Sequence, residues 1–124
     1  MRELPWDECL RLLRKATIGR LVFTKDALPA IRPVGFLMQD QDILVRTTTD
    51  GALGRLADTV VAFEADSIDE VRRSGWSVVA VGMARRIEGA EEKRALSCRL
   101  RAAGDLFIRI PVQVITGRYL EENG

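Results

Sequence analysis

The residue types that most enzymes use for acid–base or nucleophilic catalysis are scarce in this chain. It contains no histidine and only two cysteines, which excludes Ser-His-Asp and Cys-His nucleophile pairs, His-bound zinc and a proximal haem histidine. Cys9 and Cys98 are too few for a disulfide framework or a thiolate zinc site, and we expect both to be reduced structural thiols. The sequence therefore argues against a hydrolase and identifies neither a metal site nor a catalytic acid or base.

Glycines that could cradle a phosphate occur in the segment DGALGRL. Gly51 and Gly54 are two residues too close together for a strand-to-helix P-loop, and no GxGxxG motif is present. A nucleotide that binds this chain must therefore be held in another way.

A proline and a glycine interrupt the strand predicted over PAIRPVGFLM. Pro33 cannot donate a ladder hydrogen bond, and Gly35 has no side chain to pack. The period of two in a strand places both on one face, together with Ile31 and Leu37. We therefore expect an edge, a β-bulge or a ligand against this strand.

The remaining pattern predicts strands and short helices joined by tight turns. PWDECLRLLRK has a proline at its start, acidic residues in its first turn and apolar side chains on one face, which predicts a helix. DGALGRLA predicts a short helix, SIDEVRRS a polar connection and AEEKRALSCRLRAAG a helix that ends at Gly104. The predicted strands are ATIGRLVFT, PAIRPVGFLM, ILVRTTT, DTVVAFEAD, GWSVVAVGMARRIEG and LFIRIPVQVITGRYL, the last interrupted at Pro111.

Length and charge narrow the class of protein. The 124 residues fit one domain, residues 1–124, around one core. Nineteen basic and 18 acidic residues give a formal charge of +1, so no strong field favours nucleic acid or an anionic membrane. Neither a secretion signal nor a membrane span is recognisable, so we expect a cytoplasmic protein without nucleic-acid or membrane partners.

The four phenylalanines test the possibility of a barrel that binds single strands. Such modules stack bases on exposed aromatic side chains. Here every phenylalanine lies in an apolar strand context, which favours the core: Phe23, Phe36, Phe63 and Phe107. The expected fold is therefore mainly β, a six- to seven-stranded antiparallel barrel with short flanking helices, in preference to a parallel βαβ sheet.

The order of three motifs, IRPVGF, RTTTDGAL and GWSVVAVG, makes a family resemblance visible. Together they resemble the small actinobacterial-type members of the pyridoxamine 5′-phosphate oxidase-like, FMN-binding split-barrel family, over nearly the whole chain. The resemblance implies a homodimer of split β-barrels with two FMN sites at the subunit interface, each lined by both chains. It also implies an oxidoreductase whose small-molecule substrate is unknown.

The resemblance carries nine cofactor-binding positions onto this chain. In relatives, the second strand runs along the flavin, the next strand end faces the ring and phosphate, the following turn cradles the phosphate, and the start of the long strand arrives from the partner subunit. An arginine fork beside a helix N-terminus suits a phosphate dianion, and strand backbone with small hydroxyls suits the flavin edge. The positions are Arg32, Pro33 and Val34, then Arg46 and Thr47, then Gly51 and Leu53, and finally Trp76 and Ser77.

Departures from the family pattern leave alternatives open. Ala52 stands where many relatives carry a lysine in the phosphate turn, so phosphate binding is expected to be weaker or taken over by Arg55 or Lys25. The loop RAAGD is shorter than the lid of longer relatives, and the missing histidine argues against oxidation of pyridoxamine phosphate itself. The alternatives to an FMN flavoprotein are a reductase that uses coenzyme F420, with its longer phosphodiester tail, and a non-catalytic dimeric barrel that has lost tight flavin binding.

Overall fold

A curled antiparallel sheet forms most of the molecule. The computed structural model describes residues 2–49 and 51–121. Within them the strands are β1 (Arg2–Glu3), β2 (Ile18–Lys25), β3 (Leu28–Gln39), β4 (Asp42–Thr47), β5 (Val60–Asp69), β6 (Ser74–Met83), β7 (Arg85–Arg86), β8 (Leu106–Pro111) and β9 (Val114–Leu120). These described strands form a single nine-stranded sheet in the order β1-β9-β6-β5-β2-β3-β4-β8-β7. The expected mainly β, antiparallel split barrel is confirmed, with seven longer strands and two of only two residues.

Two helices flank the sheet, and a short 3-10 helix links β4 to β5. Helix α1 (Trp6–Lys15) begins after Pro5, with acidic residues in its first turn and basic residues in its last. These charges are opposite to those of the helix dipole and stabilise the helix. Helix α2 (Ala90–Arg99) begins after Gly89 and has the same distribution of charges. The 3-10 helix spans Gly51–Arg55. No helix in the described part of the chain is long and apolar enough to cross a membrane.

Three predicted boundaries were wrong. β5 continues to Asp69 because Ser67, Ile68 and Asp69 pair with the start of β6, so only residues 70–73 connect the two strands. The long strand predicted over GWSVVAVGMARRIEG breaks after Met83, before the two residues of β7. Helix α2 ends at Arg99 and not at Gly104, because the chain there turns onto the sheet.

The main core lies on the concave face of the sheet. Phe36 and Phe63 pack edge to face, with ring centroids 4.6 Å apart, and α1 closes one end with Cys9, Leu12 and Leu13. All four phenylalanines are buried, as the sequence predicted. Cys9 is buried and Cys98 is exposed, both as free thiols, and burial raises the pKa of the Cys9 thiol.

A second, smaller core lies on the opposite face of the sheet. There Leu96 of α2 packs with Leu44 of β4, Phe107 of β8 and Ile87. Helix α2 is therefore held on the convex face of β4 and β8. This placement directs the chain that follows α2, residues 100–105, across the neighbouring part of the sheet.

Candidate functional site

The first half of β3 is a strand edge. β3 pairs with β2 from Leu28 to Gly35, but its ladder with β4 runs only from Gly35 to Gln39. No described strand pairs with residues 28–34 on that side, and Pro33 lies within this stretch. The edge expected from Pro33 is thus present, and edge backbone groups can pair with a ligand.

The loop of residues 100–105 lies beside this edge. A Cβ atom on Gly35 would come within 2.5 Å of the Ala102 Cβ atom, and one on Gly104 within 2.0 Å of the Thr47 carbonyl oxygen. Gly104 also has a φ of +133°, where a side chain would be strained. The short RAAGD loop therefore packs closely on β3 and β4, and glycines at both contacts permit that approach.

Arg46 fastens this loop to β4. Its Nε atom donates a 2.8 Å hydrogen bond to the Gly104 carbonyl oxygen, and its Nη1 atom donates a 3.4 Å bond to the Leu100 carbonyl oxygen. The guanidinium also lies over the Phe107 ring, 5.1 Å from its centroid. Two of its donors are thus engaged within the chain, and a direct role of Arg46 in phosphate binding stays a prediction.

A cleft of about 370 Å³ opens between the edge of β3 and this loop; we call it the β3 cleft. It brings two of the predicted site residues, Pro33 and Val34, next to a cation that sequence reasoning missed. Its lining residues are Thr17, Ile18, Pro33, Val34, Gly35, Arg101 and Ala102. Arg101 falls within the helix that the sequence predicted up to Gly104, whereas α2 ends at Arg99 and leaves Arg101 in the loop.

A second cleft of about 400 Å³ shares Thr17 and Ile18 with the β3 cleft and contains Trp76. Trp76 packs against the main core and forms part of this wall together with Asp66 and Ser67. Ser77 alternates with Trp76 along β6 and therefore lies on the opposite face of the sheet. The two residues predicted to reach the flavin together thus point in different directions.

A charged cluster on the convex face separates Ser77 from Pro33. Nη1 of Arg20 lies 2.7 Å from Oε1 of Glu64 and 3.0 Å from Oδ2 of Asp66. The Ser77 hydroxyl donates a 3.4 Å hydrogen bond to the other oxygen of Glu64. Partial burial, followed by the neighbouring Asp66 carboxyl, raises the pKa of Glu64. The signal in the sequence was the alternation of acids in VVAFEAD opposite an arginine on β2.

The remaining predicted residues lie on the barrel interior or around its end. Thr47 is buried, and Leu53 is a fully buried core residue, so any contact of Leu53 with a ligand would be through its backbone. Arg32 faces the same side as the buried Val34 because the two alternate with Pro33. Gly51 begins the 3-10 helix, but the surroundings of Gly51 and Ala52 lie outside what the structure describes.

A third cleft, of about 340 Å³, lies at the far end of β2; we call it the hairpin cleft. It brings together the two cations that the sequence offered as substitutes for the missing lysine. Its lining residues are Thr24, Lys25, Asp26, Arg55, Leu56, Thr59 and Val60. In residues 2–49 and 51–121, no cluster of three or more acidic or cysteine side chains could hold a metal ion.

The sequence and the fold both have counterparts among known proteins. The family model described as pyridoxamine 5′-phosphate oxidase matches residues 5–118. The chain belongs to this family. The resemblance inferred from IRPVGF, RTTTDGAL and GWSVVAVG is therefore confirmed.

Three known proteins resemble the chain over nearly its whole length. The uncharacterized protein Rv0080 of Mycobacterium tuberculosis is 41% identical over an alignment 125 positions long. The alignment covers 93% of this chain and 82% of that protein. A FAD-binding protein from Mycobacterium smegmatis is 31% identical, with a TM-score of 0.82 over 98% of this chain and 99% of its own. A FAD-binding protein from Mesorhizobium loti shares the fold at 21% identity, with a TM-score of 0.82 over 98% and 97% of the two chains.

Proposed function

We propose that this member of the family is a flavoprotein whose flavin ring lies against the edge of β3, in the β3 cleft. The observation that carries the proposal is the coincidence of three features at Pro33 and Val34. On the side of β3 that faces β4, no described strand pairs with these two residues. An apolar cleft adjoins them, and Arg101 lines that cleft.

The residues of the β3 cleft suit an isoalloxazine ring. The ring is flat and apolar, but its pyrimidine edge carries polar atoms that need hydrogen-bond partners. Ile18 and Pro33 offer apolar surface, the edge backbone offers donors and acceptors, and Arg101 offers a cation for the electron-rich edge. The residues thus fit a flavin, and their task is to bind the ring, orient it and limit its contact with water.

A bound flavin would supply hydride transfer, which no side chain of this protein can perform alone. We therefore propose an oxidoreductase acting on a small molecule. The second cleft, which contains Trp76 and shares Thr17 and Ile18 with the β3 cleft, is where a substrate would approach. The acidic pair Glu64 and Asp66 lies next to this region.

FMN is the form of flavin that the sequence motifs favour, and FAD is the form named for the M. smegmatis protein, which is 31% identical. Both share the isoalloxazine ring, so the proposed ring site is the same for either. The shorter FMN would place its phosphate near Arg46 and the start of the 3-10 helix at Gly51, four residues before Arg55.

We also propose that the protein is a homodimer that pairs through the convex face of the sheet. One row of apolar residues crosses five strands there, and Ile31 and Val114 are among the exposed large hydrophobic residues. The row follows from the ladder registers and consists of Ile31, Val22, Ala62, Val81 and Val114. A continuous apolar surface of this kind is typical of an isologous two-fold interface.

The test of the flavoprotein proposal is a titration of the purified protein with riboflavin, FMN, FAD and F420, followed by flavin fluorescence and by thermal unfolding. Saturable binding of at least one flavin, with a rise in Tm, supports the proposal, because a ligand that binds only the folded state stabilises it. A colourless protein whose Tm responds to none of the four would contradict it and favour the non-catalytic barrel.

A further inference from the structure

The hairpin cleft is separate from the proposed ring site. Lys25 ends β2, Asp26 lies in the turn to β3, and Arg55 ends the 3-10 helix. The hairpin cleft and the β3 cleft have no lining residue in common. Binding of the flavin ring in the β3 cleft therefore assigns no role to Lys25 and Arg55 of the hairpin cleft.

Two cations and one acid line the hairpin cleft. Across residues 2–49 and 51–121, neither Lys25 nor Arg55 forms an ion pair or side-chain hydrogen bond with another described residue. The neighbouring acid Asp58 is instead paired with Arg85. Asp26 contributes one negative charge to the lining, so the cleft has a net positive charge.

One threonine hydroxyl adds a neutral hydrogen-bond donor to this lining. Thr24 carries this hydroxyl, whereas the Thr59 hydroxyl already donates its hydrogen to the Leu56 carbonyl oxygen at 2.6 Å. Two cations beside a hydroxyl donor form the kind of lining that phosphate oxygens prefer.

The distance between the two clefts restricts what could occupy both. Pro33 of the β3 cleft pairs with Arg20 of β2, and Lys25 of the hairpin cleft lies five residues beyond Arg20. At the rise of an extended strand, these five residues span about 17 Å. The arm of FMN, a ribityl chain ending in one phosphate, is shorter than this distance between a ring at Pro33 and Lys25.

We propose that the hairpin cleft binds the distal anionic part of a flavin whose arm continues beyond its first phosphate. This inference rests on the proposed flavin site at β3. The chemistry is shared by the diphosphate of FAD and by the phosphodiester tail of F420, and Lys25 and Arg55 supply the charges that either would need. Ala52 stands where many relatives carry a phosphate-binding lysine. Lys25 and Arg55 would supply positive charge in its place, but to the part of the ligand beyond the first phosphate.

The test compares three forms of the full-length protein by isothermal titration with FMN, FAD, F420 and ADP. The forms are the wild type, the double variant Lys25→Gln/Arg55→Gln and the control Arg72→Gln/Arg94→Gln, which also removes two exposed positive charges. Loss of charge-assisted bonds in the double variant is expected to weaken FAD or F420 by about tenfold or more. FMN affinity should stay within about twofold in both variants.

The arms of the experiment distinguish the sources of the anion. A loss confined to FAD, together with competition by ADP against FAD but not against FMN, identifies the dinucleotide. A loss confined to F420 identifies the deazaflavin tail. Equal weakening of FMN and FAD would overturn the inference, because the cleft would then hold the first phosphate.

Failure of the inference is also distinguishable from failure of the proposed function. FAD and F420 affinities that are unchanged in the double variant, with the wild type still binding flavin, would overturn the inference alone. A wild type that binds none of the flavins would overturn both.

Discussion

The carbonyl oxygen of Gly104 accepts a 2.8 Å hydrogen bond from Nε of Arg46. This bond joins the loop after α2 to β4, and it places Ala102 over Gly35 and Arg101 at the β3 cleft. Arg46 is therefore a positioning residue for one wall of the proposed flavin site.

Replacing Arg46 with alanine or with lysine is expected to destabilise the protein by about 1–3 kcal/mol, because each change removes charge-assisted bonds to partly buried carbonyl oxygens. Lysine keeps the charge but cannot reproduce the planar fork. Urea unfolding measures the loss, and FMN titration of the same samples measures its effect on the site. If Arg46→Lys retained wild-type stability and flavin affinity, charge alone would matter and the loop-fastening role would be wrong.

Arg101→Gln is expected to weaken flavin binding while leaving the free energy of unfolding nearly unchanged, because Arg101 is exposed and lines the β3 cleft. The expected loss is about threefold to thirtyfold in Kd, the range of one charge-assisted contact at a partly solvated site. Arg99→Gln is the matched control, since Arg99 is an exposed arginine at the end of α2. Equal effects of the two substitutions would remove Arg101 from the site.

Ile31→Glu is expected to convert the dimer to a monomer, because it places a charge in the apolar row of the convex face. Ile31 is 65% exposed in the single chain, so the fold itself should tolerate the change. Val71→Glu serves as the control, since Val71 is 92% exposed in the β5–β6 turn. Light scattering after size-exclusion chromatography measures the mass; a monomeric wild type, or a dimeric Ile31→Glu variant, would refute this interface.

Glu64 is expected to make the protein less stable as the pH rises. Burial and the Asp66 carboxyl raise the pKa of Glu64 in the folded state, so the folded chain retains this proton at a pH where the unfolded chain has lost it. Its contribution to stability is present below the unfolded pKa and is lost as the pH rises through the raised one.

The Glu64→Gln variant serves as the comparison, because its side chain at position 64 is neutral at every pH. Chemical unfolding between about pH 4 and pH 8 should show that the wild type loses more stability than the variant over that interval. Parallel profiles would show that Arg20 compensates fully for the burial of the Glu64 carboxylate.

Most of the fold was predictable from local pattern. Pro5, the acids after it and the apolar spacing defined α1, and alternation defined the strands around Phe36 and Phe63. Pro33 indicated an edge in β3, because it cannot donate a ladder hydrogen bond. Gly35 is instead paired on both sides, and its missing side chain leaves room for Ala102.

The incorrect boundaries share one physical cause, which is tertiary contact overriding local signals. Gly104 is a good helix terminator in sequence, yet its conformation is used where the loop approaches the Thr47 carbonyl. Ser67 and Asp69 are typical turn residues, but they join β5 because β6 offers them ladder partners.

The residues of the candidate site were harder to predict than the fold. Family motifs pointed to Pro33 and Val34, which line the β3 cleft, but not to Arg101 of the same cleft, because its position depends on where α2 ends. The cluster of Arg20, Glu64 and Asp66 was missed because it forms between strands that are more than 40 residues apart in sequence. Lys25 and Arg55 were singled out from sequence, and only the fold brings them into one cleft.

A crystal structure of the protein with bound flavin tests the central claim most directly. We predict electron density for the flavin ring against the backbone of residues 32–34. The loop of residues 100–105, which includes Arg101, should lie on the other side of the ring. Ring density away from β3, or crystals soaked at saturating flavin concentration that show none at all, would contradict it.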